Sequence, residues 1–272
     1  LEALNLEGAT VLLTGASKGI GAATAVVLAE HGARLAIVAR HQDGLDLVAT
    51  RVRAAGSEAH TIVADLSKEE EVRRMVAEGE EKLEGVDIIV NNAGLGLSAA
   101  VKDIKPADLR YVFEVNVVAP TLANSLVLPG MLRRHRGHVV NVGSVASHIA
   151  SPDLGGYAAT KHALKALSDA MRMELQGSGV GVTLVCPGPI ATDFTENTRG
   201  RYPDHYPKRP VGAPAEDVGR AIARAIEKRL AEVFIPAYFQ PVVGIDALLP
   251  QLMRVGGKRG MRVATRIADR FM

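Results

Sequence analysis

Thr14-Gly15-Ala16-Ser17-Lys18-Gly19-Ile20-Gly21 joins two different kinds of sequence. Before it, residues 9–14 (Ala-Thr-Val-Leu-Leu-Thr) form a short apolar run. After it, Ala22–His31 spaces its apolar residues near the helical period. A strand that turns on glycines into a helix offers backbone N–H groups and a positive helix end, which suit a pyrophosphate. An ordinary βα turn also carries glycines, so the turn gains weight only from this strand-before, helix-after setting.

Similar apolar runs recur at 34–39, 59–64, 86–91, 137–143, 180–186 and 232–235, with helical stretches such as Val72–Leu83 between them. Strands apolar on both faces and separated by helices spell repeated βαβ units. The expected fold is α/β: a single doubly wound, Rossmann-type parallel sheet with helices on both faces and a C-terminal helical extension. No linker rich in Pro or Ser divides the chain and no repeat of fixed period stands out, so 1–272 reads as one domain.

Composition excludes several classes. The 272 residues are 47% hydrophobic with a net charge of +2, which excludes disorder as the main theme. Thirty-two basic against 30 acidic residues, 4% aromatics and no Trp leave neither a global field nor stacking platforms for nucleic acid. The lone Cys186 excludes a disulfide framework and a cysteine-cluster metal site, and no metal is expected. No run of about 18 uncharged apolar residues is seen, so no spanning helix is expected. The opening Leu1-Glu2-Ala3-Leu4 lacks Met and a basic segment; it reads as a trimmed end, and a leader before it stays open.

Ligands of such sheets bind outside the carboxyl ends of the strands, which directs attention to Gly15, Arg40, Asp65, Asn91, Ser144 and Pro187. An Asp or Glu about 20 residues after the glycine turn usually grips a ribose 2′-hydroxyl. Here the second strand ends Val38-Ala39-Arg40: Ala39 leaves that slot empty, and Arg40 offers a planar fork suited to a phosphate. Lys18 adds a second positive charge. NADP(H) is therefore preferred, with NAD(H) kept open through Asp43 or a merely solvated Arg40.

Tyr157 and Lys161 open a helical run from Gly155 to Gln176, and their i, i+4 spacing puts them on one face. A free tyrosine titrates near pH ~10. An ammonium ~5 Å away at an effective dielectric of ~20 favours the phenolate by about 3 kcal/mol, roughly two pKa units. That makes the phenol a usable acid or base, although a surface Tyr/Lys pair has the same spacing. Ser144, 13 residues earlier, ends a strand where its hydroxyl can bond a substrate oxygen, or sits as an ordinary loop serine. Asn116 is polar within an apolar helical pattern, either a structural hydrogen-bonder or a relay element.

These residues, with Asn91-Asn92-Ala93-Gly94 and Pro187-Gly188, resemble the short-chain dehydrogenase/reductase family over nearly the whole chain, in family order and spacing. Val38-Ala39-Arg40 and Lys18 resemble its NADP-preferring branch of hydroxysteroid dehydrogenases and 3-oxoacyl reductases. The resemblance implies that Tyr157 donates the proton in reduction and accepts it in oxidation. Lys161 would bind the nicotinamide ribose and lower the tyrosine pKa, Ser144 would orient the carbonyl, and Asn116 would hold a water joining Lys161 to solvent. Gly15, Ser17, Lys18, Gly19, Ile20 and Gly21 would hold the phosphates. Asp65 and Leu66 would flank the adenine, and Asn92, Ala93 and Gly94 would line the cofactor. Pro187, Gly188, Ile190 and Thr192 would hold the nicotinamide end, with Thr192 reaching its carboxamide.

The stretch 189–214 is expected to be a substrate lid, with disorder the alternative; it carries Phe194, Tyr202, His205 and Tyr206. Leu95, Gly96, Leu97, Ile149, Ala150 and Leu154 suggest a greasy mouth for a small hydrophobic substrate. His148 and His205 read as exposed loop histidines rather than extra catalysts. Where many relatives would end, residues 238–272 continue into a tail with Arg254, Lys258, Arg259, Arg262, Arg266 and Arg270 against Asp269 alone. Met261, Ala264, Ile267, Ala268 and Phe271 recur at helical spacing, so the tail either packs on a subunit or pocket, or contacts an anionic membrane surface. That extension favours a homodimer over the family's usual tetramer. The expected setting is cytoplasmic, with membrane association through the tail as the variant. The expected function is hydride transfer on a hydrophobic, lipid-, steroid- or acyl-like carbonyl or secondary alcohol. The alternatives are an NAD(H)-dependent alcohol dehydrogenase or a non-catalytic nucleotide-binding scaffold.

Overall fold

The computed structural model describes residues 4–200 and 212–248. Nine strands occur in it: β1 (Thr10–Thr14), β2 (Arg34–Ala39), β3 (Ala59–Val63), β4 (Ile88–Asn91), β5 (Leu97–Ser98), β6 (Gly137–Val142), β7 (Val180–Pro187), β8 (Arg199–Gly200) and β9 (Glu232–Ile235). Seven form one parallel sheet in the order β3-β2-β1-β4-β6-β7-β9, while β5 and β8 make a short ladder of their own. All seven apolar runs read from the sequence are strands of the large sheet. The order reverses between β1 and β4, which opens a crevice at their carboxyl ends.

Alternation along each strand sorts the core into two layers. Val11 and Leu13 of β1 face one way, toward α1 (Gly19–Glu30), α2 (Gln42–Ala54) and α7 (Ala215–Glu227). Leu12 between them faces α3 (Glu69–Leu83) and α5 (Ala119–Arg133). Leu12 and Leu13 are fully buried, and each contributes about 1.5–3 kcal/mol by leaving water. The helix after the glycine turn starts at Gly19, three residues before the expected Ala22, because the turn itself supplies the first helical residues.

α4 (Pro106–Phe113) runs through a π-helical turn, Glu114–Val118, into α5. Pro120 gives a physical reason for the wide turn. Its ring has no N–H to bond the carbonyl four residues back, that of Asn116, and would crowd it. Contrary to the sequence expectation, the whole stretch Pro106–Arg133 is long and apolar enough to cross a membrane by length and composition. Half of its apolar window is nevertheless buried inside the fold, with Asn116 and Asn124 in the interior.

α6 (Gly155–Glu174) packs beside β7, and α8 (Phe239–Leu248) follows β9. The expected lid is described at 189–200 and 212–214 only; Tyr202, His205 and Tyr206 lie outside the described residues, as does the basic tail from Arg254 to Arg270.

Candidate active site

The glycine turn is held by its neighbours on every side. Gly15 adopts φ +67°, a left-handed conformation that favours glycine, and a side chain there would begin 2.8 Å from Ala93 Cα. Thr14 Oγ1 accepts the N–H groups of Asn92 and Ala93, both at 3.1 Å. The Asn92 amide donates to the Thr14 and Gly15 carbonyls at 2.9 and 3.0 Å. Ala16 N–H donates to Val38 O at 3.0 Å, which sets the turn beside the end of β2 and the exposed Arg40. Ser17 abuts Gly44 of α2.

This cradle suits a dinucleotide. Lys18, the N-cap of α1, makes no side-chain capping bond, and the first turn carries no acidic residue, so the positive helix end has no carboxylate of its own. Gly21 supplies the close approach: a Cβ there would fall 2.1 Å from the Gly15 carbonyl oxygen and 2.6 Å from Asn92 Nδ2. Gly21→Ala must therefore shift backbone. The expected cost is about 2 kcal/mol, a Tm drop of roughly 5 °C, together with weaker dinucleotide binding. Thermal unfolding with and without NADPH checks both.

Around the cradle, Asp65 accepts the N–H and hydroxyl of Ser67 at 3.0 and 2.8 Å. Burial alone would raise its carboxyl, but the Ser67 bonds, with the charges of Lys68 and Arg40, hold it below the ordinary value. Leu66 packs on the α3–α5 layer. Ile20 and Ile190 pack on the opposite layer, and Thr192 lies against Gly19. Thr192 leads into a short 3₁₀ turn, Asp193–Asn197, that crosses the mouth. From that turn Glu196 Oε2 reaches Lys18 Nζ at 3.4 Å, and the Phe194 ring meets that of Tyr157 with centroids 5.8 Å apart. The C-terminal extension begins against the same site: the Phe239 ring of α8 fills the space a side chain at Gly188 would need.

Tyr157 and Lys161 share a face of α6. Lys161 is 4% exposed, its Nζ donates to Val142 O at 2.8 Å, and it lies 5.8 Å from the Tyr157 ring centroid. Burial pushes its pKa down to about 8. Val142 ends β6 two residues before Ser144, whose Oγ accepts Ala146 N–H at 3.1 Å and donates to Pro187 O at 3.3 Å. Asn116 takes both backbone groups of Leu95: its amide donates to Leu95 O at 2.9 Å, and its carbonyl accepts Leu95 N–H at 2.8 Å. The amide also donates to Thr160 Oγ1 at 3.0 Å, which in turn donates to Tyr157 O at 2.7 Å. A side chain at Gly94 would meet Asn116 Oδ1 and Lys161 Nζ, both at 3.4 Å. The candidate site residues read from the sequence thus fall at the carboxyl ends of the strands, in the turns that follow them, at the start of α1 and on α6, with Asn116 reaching in from the π turn.

Two details differ from the sequence reading. Leu95 and Leu97 are buried with Val112 and Val115 in a small core behind Tyr157, rather than lining an open mouth. His148 is not an exposed loop residue: its side chain is 13% exposed, and Nε2 donates to Glu232 Oε1 at 2.7 Å. Cys186 Sγ donates to the same oxygen at 3.4 Å. The donor atoms of His148, Cys186 and Glu232 lie within 4.8 Å of one another, but one carboxylate oxygen already takes both donors. Burial and that carboxylate push the thiol up and keep it protonated.

A buried polar network also escaped the sequence reading. Asn91 Nδ2 donates to Asn124 and Asn141, Asn141 donates to Ser168, and Ser168 to Leu164 O, at 2.7 to 2.9 Å. It pins α5 and α6, the carrier of Tyr157 and Lys161, to the centre of the sheet. The signal was Asn141, a polar residue inside an apolar strand.

The family model described as short chain dehydrogenase matches residues 9–202. The ketoacyl reductase HetN of Nostoc sp. is 33% identical over 231 residues, 85% of this chain and 79% of that one. The 17-beta-hydroxysteroid dehydrogenase 13 of Rattus norvegicus is 30% identical over 250 residues, 91% and 81% of the two chains. A metagenomic short-chain oxidoreductase in complex with NADP superposes with a TM-score of 0.72 at 30% identity, covering 85% of this chain and 97% of that one. A short-chain dehydrogenase/reductase from Burkholderia phymatum in complex with NAD does so at 0.83 and 25%, covering 92% and 96%. The chain belongs to the short-chain dehydrogenase/reductase family, oxidoreductases that transfer hydride with NAD or NADP.

Proposed function

We propose that this enzyme is an NADP(H)-dependent reductase or dehydrogenase of a hydrophobic ketone or secondary alcohol, with Tyr157 as its acid and base. The observation that carries the chemistry is the buried Lys161 ammonium on the same face of α6 as the Tyr157 ring. A nicotinamide, when bound, supplies or takes the hydride, so the protein has only to position and polarise.

Gly15, Ser17, Lys18, Gly19, Ile20 and Gly21 hold the pyrophosphate. Arg40 and Lys18 read the 2′-phosphate, Asp65 and Leu66 the adenine, and Asn92, Ala93 and Gly94 the underside. Pro187, Gly188, Ile190 and Thr192 hold the nicotinamide end. In reduction the Tyr157 hydroxyl gives its proton to the substrate oxygen while Ser144 donates a hydrogen bond to that oxygen. Lys161 favours the phenolate left behind. Asn116, with its amide spent on Leu95 and Thr160, ties the π turn to α6 and keeps Lys161 in register with Tyr157. One domain over 1–272 carries all of this, with 189–214 as lid and 238–272 as extension.

The substrate class rests on the Phe194 ring beside Tyr157, with an apolar core behind that tyrosine. The ketoacyl reductase and hydroxysteroid dehydrogenase among the relatives are named for substrates of that kind. The cofactor choice rests on Arg40 and Lys18 at the turn, with relatives known in complex with either dinucleotide.

Side-by-side titration of NADPH and NADH by nicotinamide fluorescence tests the cofactor assignment. Arg40→Ala should weaken NADPH by ~2 kcal/mol, roughly thirtyfold, and barely touch NADH, since only the phosphate loses a charge-assisted contact. Equal losses would show that Arg40 does not read the 2′-phosphate. Binding of neither dinucleotide by the parent chain would favour the scaffold alternative.

A further inference from the structure

Glu232 lies outside every part of the proposed machinery, yet its carboxylate reaches both sides of it. It begins β9, and its backbone stands opposite Leu184 of β7. One of its oxygens, Oε1, accepts His148 Nε2–H at 2.7 Å and Cys186 Sγ–H at 3.4 Å. His148 closes the 3₁₀ turn Val145–Ser147 that Ser144 opens. Cys186 is the residue before Pro187, whose carbonyl accepts the Ser144 hydroxyl. The carboxylate therefore grips the serine turn on one side and the end of β7 on the other, and the Ser144–Pro187 contact lies between the two grips.

Elsewhere the turn packs against α6 and the end of β7. Ser144 and Ser147 cap one another, and Gly143 N–H donates to Val185 O at 2.7 Å. At the far end of the turn His148 N–H closes on Val145 O at 3.0 Å, and the imidazole sits against the Phe234 ring with centroids 5.4 Å apart. Burial would raise the Glu232 carboxyl, but the His148 bond and charge, the Cys186 thiol and the charge of Lys165 hold it below the ordinary value. An ionised carboxylate is half-buried here, and two donors, one from the serine turn and one from β7, compensate its lost hydration. Lys165 also faces the group from α6, where it pairs with Asp169 at 2.6 Å.

We infer that Glu232 and His148 are positioning residues: by tying the serine turn to the end of β7, they fix Ser144 relative to the Pro187–Gly188 segment. This rests on the proposed role of Ser144. Neither side chain touches the reacting atoms in this reading; both act through Ser144 and Pro187.

The test uses the full chain with Glu232→Ala, Glu232→Gln, His148→Ala and the double alanine variant. Hydrogen exchange of the peptide spanning 143–149 reads the tie without any turnover. It should accelerate at least tenfold in Glu232→Ala and in His148→Ala, with β1–β3 unchanged. Initial rates of NADPH-dependent carbonyl reduction should show kcat down ten- to a hundredfold, with the NADPH Kd within twofold of the parent. Glu232→Gln should recover most of both, because its amide oxygen still accepts the two donors. The double variant should be no worse than either single one, as members of one contact. Unchanged exchange at 143–149 overturns the tie. Faster exchange there with kcat within twofold overturns its positioning role, and exchange rising evenly across all strands reassigns Glu232 to holding the edge strand. A parent chain that reduces no carbonyl substrate would overturn the proposed function, while exchange would still judge the tie.

Discussion

Tyr157→Phe is expected to lower turnover by a factor of about 10³ or more while NADPH binds within twofold of the parent affinity. The substitution removes one oxygen and keeps the ring. That ring packs against Phe194 and against the small core of Leu95, Leu97, Val112 and Val115, contacts that a phenylalanine retains. The turn proposed to grip the dinucleotide is built from residues 14–21 and 92–94 and does not include Tyr157. What is lost is the proton that must reach the substrate oxygen as hydride reaches the carbon. A positioned acid or base is worth about 10²–10⁴ in rate, and no second acid on α6 stands in its place among the described residues. Lys161, one turn on, is no replacement: its Nζ, donating to Val142 O at 2.8 Å, lies 5.8 Å from the Tyr157 ring centroid. Initial rates on a hydrophobic ketone, with fluorescence titration of NADPH on the same preparation, separate the two effects. Residual turnover within tenfold of the parent would remove Tyr157 from its role. A parallel loss of NADPH affinity would mean that the hydroxyl serves binding instead.

How much of this was legible beforehand follows from how far each signal reaches along the chain. The central strands of the large sheet were legible because burial on both faces leaves a largely apolar run, as in Leu35–Ala39 or Val180–Cys186; the edge strands β3 and β9 are only partly buried and kept a shorter signal. The glycine turn was legible because its parts are consecutive. Tyr157 and Lys161 were legible as a pair because four residues make one helical turn. Contacts that join distant segments left no such trace. His148 and Glu232 are 84 positions apart, and Asn91 reaches Asn141 across 50; each looks ordinary in its own stretch. The π turn is intermediate: Asn116 stood out as a polar residue in an apolar pattern, but nothing read from the stretch marked a break in the helix there. The inward turn of Leu95 and Leu97 was misjudged because apolar residues at a mouth and apolar residues behind it read alike. Here the small core under Tyr157 claims them.

Lys161→Met should abolish useful catalysis and make the protein more stable at pH 7. The lysine is buried to 4% exposure, and burial pushes its pKa from 10.5 down to about 8. The folded state therefore holds the ammonium less readily than the unfolded chain does. At 1.36 kcal/mol per unit, the difference costs roughly 3 kcal/mol wherever both states are charged, that is below pH 8. Methionine matches the length of the stem, fills irregular space and carries no charge. It forfeits the bond to Val142 O, worth about 1 kcal/mol, so the net gain is about 2 kcal/mol, or roughly 5 °C in Tm. The pH dependence carries the physical test. Between pH 8 and 10.5 the unfolded lysine binds more proton than the folded one, so the parent gains stability on the variant as pH rises. Above 10.5 both forms are neutral and the burial cost is gone. Thermal unfolding of both proteins from pH 6 to 11 should show the variant ahead at low pH and the gap closing through that window. A parent more stable than Lys161→Met at pH 7 would show that the ammonium is held by its surroundings rather than endured by them. The catalytic loss follows from the same charge: an ammonium this poorly hydrated favours a phenolate beside it, and methionine removes that charge.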